Sequence, residues 1–155
     1  MGHRRIGFVG GDPRYAAAAR RQDGYARALA SAGIAVDDRL IRSGLYDFAS
    51  GSRAASDLLD LDDPPTAIFA SSDDMAAGVL AEAHRRGVSV PGTLSVAGFD
   101  DTDLAAVVWP PLTTVRQPVR EIGAIAADLL LSPPPSPQHR LLAHEIIYRE
   151  SVCAR

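Results

Sequence analysis

Short apolar runs alternate with longer stretches of helical periodicity over the first hundred residues of the chain. The apolar runs cover residues 5–9, 39–42, 66–70 and 94–98. Their length and the turn signals around them predict four buried strands. The stretches between them place apolar side chains at intervals of three and four residues, which predicts helices over residues 16–32, 50–61 and 74–86. Gly33 and Gly87 follow the first and third helices as stop signals.

This alternation of strand and helix indicates one fold class. Short connections between consecutive βα units imply right-handed crossovers, and therefore a parallel sheet that helices cover. A chain of 155 residues is long enough for one such domain and too short for two ordinary ones. We therefore expect an α/β fold, a doubly wound parallel sheet with helices on both faces, built mainly by residues 1–115.

The pattern changes near residue 115. A β-type segment at residues 112–115 leads into a predicted helix over residues 118–131. The apolar positions of that helix recur at helical intervals and are Val119, Ile122, Ala126, Leu129 and Leu130. The proline-rich segment SPPPSPQHR follows and is suited to neither helix nor sheet. We expect residues 116–139 to be a crossover helix with its connector. Residues 140–155 should form a returning edge strand, at 141–149, and a tail.

The composition excludes several functions. All 16 basic residues are arginine, so phosphate-binding loops and Schiff-base chemistry, which need a lysine ammonium group, are excluded. The formal net charge of −3, with arginines scattered along the chain, argues against DNA binding by this chain itself. No apolar run is long enough to span a bilayer and no secretory leader is recognisable. We therefore expect no membrane contact and a cytoplasmic location.

No catalytic or metal-binding motif is evident. The glycines after the first strand lack the spacing of a dinucleotide-binding loop, and a nucleophile elbow is absent. The histidines His3, His84, His139 and His144 have no metal-ligand spacing and are expected at the solvated surface. The single cysteine, Cys153, excludes an internal disulfide. We therefore expect no catalysis, no cofactor and no bound metal.

Polar residues that follow the third and fourth predicted strands are candidates for ligand binding. Ser72 and Asp73 follow the third strand and Asp100 follows the fourth. The carboxyl ends of neighbouring parallel strands form the crevice in which such sheets bind ligands. Alternatives remain open, because Ser72 or Asp73 can instead cap the next helix, and Asp100 can stabilise a turn. Asp100 paired with Asp101 can also hold a divalent metal.

Several longer motifs resemble the effector-binding domain of LacI-type (lactose-repressor-like) transcription regulators. They are RQDGYARALASAGI from position 21, PPTAIFASSDDMAAGVL from 64, VPGTLSVAGFDD from 90 and PPLTTVRQP from 110, and the likeness covers residues 5–151. The resemblance implies one lobe of a periplasmic-binding-protein-like fold, with a cleft for a sugar or a similar polyhydroxylated metabolite. The effector-binding residues that it implies are Arg21, Tyr46, Ser72, Asp73, Asp100 and Gln117. Ser72 stands where this family usually has asparagine, so the identity of the effector does not carry over.

The resemblance also implies partners. A symmetric homodimer contact is expected from Ala77, Gly78, Leu80, Ala81, Val107 and Val108. DNA is expected to bind only through a domain that this chain lacks. The chain is also expected to lack the first part of the other lobe, as an expressed fragment would. Half a cleft should bind effector weakly or not at all. The apolar stripe of the helix at 118–131 should lie outside the core of the sheet and dock on a neighbouring copy or be poorly ordered.

The function that these observations favour is effector sensing without catalysis in a transcription regulator. One alternative is a lobe of a periplasmic-type solute-binding protein, which shares the architecture and would be favoured by an export signal in the gene. The other is an acidic-cluster enzyme that uses Asp73, Asp100 and Asp101 with a metal ion. Heat released on titration with magnesium or manganese would favour that enzyme.

Overall fold

The centre of the fold is a sheet of four parallel strands, seen in a computed structural model that describes residues 1–155. The strands are β1 (Ile6–Gly10), β2 (Ile41–Ser43), β3 (Ala67–Ala70) and β4 (Ser95–Ala97). Their spatial order is β2-β1-β3-β4, and Phe8 of β1 lies between Ile41 of β2 and Phe69 of β3. The chain runs from β1 out to β2 and then back past β1 to β3. The strand order therefore reverses between β1 and β3.

Helices cover both faces of this sheet. They are α1 (Ala16–Ser31), α2 (Phe48–Leu59), α3 (Asp73–Arg85) and the short α4 (Asp103–Val107). Successive residues of β1 point to opposite faces. Phe8 packs with Tyr25 and Leu29 of α1. Val9, next to it, belongs to the larger core cluster with Leu58 of α2 and Met75 of α3. The predicted doubly wound α/β fold is therefore confirmed.

Two glycines bring α2 and α3 into backbone contact. A Cβ atom on Gly51 would overlap the backbone of Met75, and a Cβ atom on Gly78 would overlap the carbonyl oxygen of Phe48. Helices that meet through glycine approach more closely than larger side chains allow. The two helices therefore form one rigid layer over this face of the sheet.

This helix contact overturns part of the predicted dimer surface. Ala77, Gly78 and Leu80 are buried within the chain itself, and Val108 packs partly against the core. The sequence of an alanine-rich helix such as α3 does not show which side faces outward. α2 covers the side of α3 that was expected to contact a second copy of the chain. Of the predicted set, only Ala81 and Val107 are exposed.

Two local elements depart from the prediction. The strand expected at 39–42 begins later, because Asp38–Leu40 forms a 3-10 turn. Asp37 caps that turn by accepting a hydrogen bond from the backbone N–H of Arg39 at 3.0 Å. The connection after β4, for which no helix was predicted, forms α4, in which Ala105 is fully buried.

Beyond α4 the chain forms a two-stranded ribbon and a helix outside the main sheet. β5 (Thr114–Arg116) pairs antiparallel with β6 (Glu145–Ile147), which is the central part of the edge strand expected at 141–149. α5 (Val119–Leu131) lies between these strands in the sequence and has no buried residue. Its apolar stripe is therefore outside the core that holds Ile68 and Val96, as predicted.

The two ends of the chain meet, and His3 lies in that contact. The Nδ1 atom of His3 is 2.9 Å from Oγ1 of Thr66, and its Nε2 atom is 3.1 Å from the carbonyl oxygen of Cys153. The expectation of a solvated His3 is therefore wrong, because a contact between residues 150 positions apart leaves no local signal. None of the helices is long and apolar enough to cross a membrane.

Candidate ligand-binding cleft

Four loops meet at the carboxyl edge of the sheet. They begin after Gly10, Ser43, Ala70 and Ala97, the last residues of the four strands. Because the strands are parallel, these ends share one edge, and the reversal of strand order between β1 and β3 opens a crevice there. The sheet therefore has a natural ligand position at this edge, and the predicted binding residues Tyr46, Ser72 and Asp100 lie on the loops that follow it.

Arg21 of α1 reaches across this crevice. Its Nη1 donates a hydrogen bond to the carbonyl oxygen of Ser71 at 2.9 Å, and its Nη2 lies 3.5 Å from Oδ1 of Asp100. The guanidinium carbon is 4.1 Å from the ring centroid of Phe99 and 5.7 Å from that of Tyr46, within the range of cation–π attraction. The expected meeting of Arg21 and Asp100 in one crevice is confirmed.

Asp100 forms the opposite wall. The side-chain amide of Gln117 donates a hydrogen bond to its Oδ1 at 2.5 Å, and its backbone N–H donates to the carbonyl oxygen of Val115 at 2.9 Å. Burial raises the pKa of Asp100, against the opposing influence of the Arg21 charge and the Gln117 hydrogen bond. Its Oδ2 has no partner within the chain, so Asp100 keeps one acceptor for a ligand.

Tyr46 closes the crevice from the side of β2. It adopts a left-handed backbone conformation, with φ of 63°, and its ring lies where a Cβ atom of residue 11 would be, so only Gly11 fits beneath it. Its hydroxyl is buried and has no hydrogen-bond partner within the chain, and the same holds for the hydroxyl of Ser71. Such groups gain free energy when a ligand or a water molecule pairs with them.

Ser72 and Asp73 belong to the framework beneath the cleft. Ser72 is the N-cap of α3, and its hydroxyl accepts a hydrogen bond from the backbone N–H of Met75 at 3.2 Å, so the capping alternative holds. Asp73 is fully buried. One of its oxygens accepts from the backbone N–H of Thr102 at 2.7 Å and the other from the hydroxyl of Thr114 at 2.5 Å. The assignment of Asp73 to the ligand surface is therefore wrong.

This framework role explains the titration of Asp73. Burial raises the pKa of its carboxyl group more than the hydrogen bonds from Thr114 and Thr102 lower it. Sequence reasoning had placed Asp73 correctly at the end of the third strand but could not tell which way the side chain points. At the first position of α3, it points into the space between α4 and β5 rather than into the crevice.

The three carboxylates proposed as a metal cluster do not converge. Asp101 turns away from Asp100 and pairs with Arg116 and Arg149 at 2.6 Å each, while Asp73 is held by threonines. The structure contains no group of three or more side chains placed to hold a metal ion. Burial acts to raise the pKa of Asp101, but the hydrogen bonds from Arg149 and Arg116 outweigh it, so the pKa is lowered.

Sequence reasoning missed two contributors to the cleft. Phe99 supports the Arg21 guanidinium with its ring, and Gly11 makes room for Tyr46. Both had a signal in the sequence, since Phe99 stands directly before Asp100 after a strand and Gly11 completes a glycine pair at the end of β1. Neither signal distinguishes a ligand-facing residue from an ordinary loop residue without the fold.

Comparison with known proteins agrees with this geometry. Residues 1–152 match the family described as a periplasmic binding protein-like domain. The chain is 45% identical over 159 residues to the HTH-type transcriptional repressor CytR of Escherichia coli (strain K12), covering 99% of this chain and 46% of that protein. It is 45% identical over 130 residues to catabolite control protein A of Priestia megaterium, covering 83% and 39%. The chain thus spans about half the length of the curated relatives it matches.

Solved structures show the same relationship. The complex of the transcriptional regulator CelR with cellobiose superposes with a TM-score of 0.89 at 34% identity, over 97% of this chain and 47% of that one. A sugar-binding transcriptional regulator of the LacI family from Escherichia coli, complexed with phosphate, gives a TM-score of 0.89 at 36% identity, over 99% and 56%. The chain belongs to the LacI-type regulator family and corresponds to part of its periplasmic-binding-protein-like effector-binding domain.

Proposed function

We propose that this chain is part of the effector-sensing domain of a transcription regulator and that it binds a small polyhydroxylated ligand without chemical change. The observation that carries the proposal is the group formed by Arg21, Asp100 and Gln117 at the reversal point of the sheet. This group combines cationic donors, a carboxylate acceptor and an amide, and the guanidinium of Arg21 lies close to the rings of Tyr46 and Phe99. No nucleophile with an adjacent base accompanies it, so the group serves recognition.

The chemistry of this group fits a neutral hydroxylated ligand. A hydroxyl both donates and accepts hydrogen bonds, so neighbouring hydroxyls of one ligand can donate to Oδ2 of Asp100 and accept from Arg21. The charge of Arg21 is balanced by Asp100, 3.5 Å away, which leaves no surplus positive charge for a phosphate or carboxylate. The buried Tyr46 hydroxyl supplies one more unpaired group. A solved relative bound to cellobiose supports a carbohydrate as the ligand class.

DNA and dimer contacts complete the proposed function in the longer regulator. The net charge of −3 argues against DNA binding by this chain itself, and the relatives it matches in part are named as repressors. Effector binding would shift the regulator between two arrangements of its DNA-binding parts. We place the homodimer contact at Ala81, Val107 and Trp109, because Val107 and Trp109 are 78% and 82% exposed.

A titration followed by nuclear magnetic resonance tests the ligand class. The ¹⁵N-labelled chain is titrated to millimolar concentrations with cellobiose, glucose, glucose 6-phosphate and a nucleoside, so that weak binding by half a cleft remains visible. We expect a neutral hydroxylated ligand to shift the signals of Arg21, Tyr46 and Asp100. The phosphorylated sugar should shift them less.

Matched glutamine variants locate the binding. Gln117→Ala should abolish the ligand-induced shifts, because Gln117 holds Asp100 in place. Gln22→Ala, which changes an exposed glutamine on α1, should leave them intact. Equal shifts in both variants would contradict the proposed site. No shift with any of the four compounds would contradict ligand binding by this half of the cleft alone.

A further inference from the structure

The neighbouring carboxylates of Asp100 and Asp101 point in different directions. Both residues have positive φ, 114° and 54°, a backbone conformation that non-glycine residues adopt at a cost in free energy. Asp100 faces Arg21 and Gln117 in the cleft, whereas Asp101 faces the β5–β6 ribbon. A turn of this kind persists only when surrounding contacts hold it.

Asp101 supplies such contacts with both of its oxygens. Its Oδ1 accepts a hydrogen bond from Nη2 of Arg149 at 2.6 Å, and its Oδ2 accepts one from Nε of Arg116 at 2.6 Å. Its side chain is only 6% exposed, so water screens these ion pairs less than ion pairs at an open surface. We call these three residues, Asp101, Arg116 and Arg149, the clasp.

The two arginines of the clasp come from different parts of the ribbon, one from β5 and one from the segment after β6. Arg116 ends β5 and also reaches Oε2 of Glu145, its partner in register on β6, at 3.3 Å. Arg149 lies two residues beyond β6 and donates from Nη1 to the carbonyl oxygen of Leu112 at 2.7 Å. One carboxylate thus joins the outgoing and the returning strand to the loop after β4.

The clasp lies directly beside the cleft in sequence and in space. Asp101 follows Asp100, and Arg116 precedes Gln117, so two parallel links form: Asp101 with Arg116, and Asp100 with Gln117. We propose that Asp101 is a positioning residue that fixes Asp100 and Gln117 in their mutual geometry and ties that geometry to the β5–β6 ribbon. The role of this geometry in effector binding rests on the proposed function; the clasp itself does not.

Ligand-free measurements on the 155-residue chain test the clasp. Asp101→Asn removes the charge, and Asp103→Asn, which changes an exposed aspartate two residues away, is the matched control. In Asp101→Asn the amides of β5, β6 and residue 100 should exchange with solvent about tenfold faster or more, because a charged hydrogen-bond pair no longer closes the ribbon. The amides of β1 and β3 should keep their rates. The side-chain amide signal of Gln117 should move toward that of a solvated glutamine.

Two results would overturn the clasp. The first is that Asp101→Asn and Asp103→Asn show the same hydrogen-exchange rates in the ribbon and the same Gln117 signal. The second is a uniform acceleration of exchange that includes β1 and β3, because Asp101 would then contribute only to general stability. If Asp101→Asn does not fold, Arg116→Gln removes the half-exposed arginine of the clasp. This variant should accelerate the exchange of the same amides by a smaller factor. Failure of every saccharide to bind would reject ligand binding by this chain alone and leave these ligand-free results standing.

Discussion

Two regions of the chain are rich in apolar residues but differ sharply in burial. They are the sheet body, residues 6–107, and the segment that carries α5, residues 118–144. Leu58 in α2 is fully buried, whereas Leu130 and Leu131 in α5 are 83% and 82% exposed. Helical periodicity is present in both α2 and α5. A sequence pattern thus indicates which side of a helix favours burial, while only the partner elements decide whether burial occurs.

The two regions also differ in how their helices are held. α2 and α3 meet through glycines at backbone distance. α5 lies along a groove whose other wall is the chain returning to β6, at Leu141 and Leu142. The free energy that stabilises this chain should therefore reside almost entirely in the body, and substitutions of the same kind in the two regions should give very different results.

A leucine truncation in each region gives the largest expected contrast. Leu58→Ala should lower the free energy of unfolding by about 2–5 kcal/mol, because it removes buried methyl groups and leaves a cavity in the core. Leu130→Ala should change it by less than about 0.5 kcal/mol, because that side chain is already in solvent. Urea denaturation followed by circular dichroism measures both. Similar losses in the two variants would show that α5 is buried in solution.

Glycine substitutions test whether α3 and α5 differ in how closely other parts of the chain approach them. Gly78→Ala should cost about 1–3 kcal/mol or more, because the added methyl group overlaps the carbonyl oxygen of Phe48 and forces α2 and α3 apart. Gly123→Ala in α5 meets nothing within 4 Å and should stabilise by up to about 1 kcal/mol through helix propensity. The same denaturation experiment compares them. A neutral Gly78→Ala would contradict the close approach of the helices.

The sequence predicts the fold better than it predicts the direction of individual side chains. Strand and helix order follow from periodicities that are strong in the body, and positive-φ glycines mark two helix ends as expected. The faces of α3 were assigned wrongly, because an alanine-rich helix packs equally well on several sides. The contact between α2 and α3 depends on two glycines 27 positions apart, which no local pattern connects.

The cleft shows the same limit at smaller scale. The family resemblance implied a shared cleft for Arg21, Tyr46, Asp100 and Gln117, and the structure brings these four side chains together. The position of Asp100 also followed from its place after a parallel strand. Asp73 was placed at that edge but faces inward. Its side chain faces inward because Asp73 is the first residue of α3, one residue after the N-cap. The sequence alone does not tell whether that side chain faces the cleft or the core.

A cap variant tests whether Ser72 belongs to the body. Ser72→Ala should lower the free energy of unfolding by about 1 kcal/mol, because the backbone N–H of Met75 loses its partner. Ser72→Gly should cost only a few tenths of a kcal/mol, because glycine is itself tolerated at this position. Thermal unfolding of the two variants measures the difference. Equal stability of Ser72→Ala and the unaltered chain would show that Ser72 does not cap α3. Ser72 would then again be a candidate for ligand contact.

The smallest expected effect is a pH dependence that separates Asp100 in the cleft from Asp101 at the base of the ribbon. Burial raises the pKa of Asp100 above its ordinary value of 3.8, so just above that pH the folded chain holds a proton that the unfolded chain has released. Stability from this group therefore falls as the pH rises through the raised pKa. Asp100→Asn removes the titration, and its free energy of unfolding relative to the unaltered chain should rise as the pH rises from 3.8 through the raised pKa.

Asp101 should show the opposite sign. Burial raises its pKa less than Arg149 and Arg116 lower it, so its stabilisation is present above the unfolded value and is lost as the pH falls through the lowered pKa. The deficit of Asp101→Asn should therefore be largest near neutral pH and shrink on acidification. Urea titrations at several pH values measure both slopes. Parallel slopes for the two variants would show that these adjacent carboxylates share one environment, and the division between cleft and ribbon at residues 100 and 101 would be wrong.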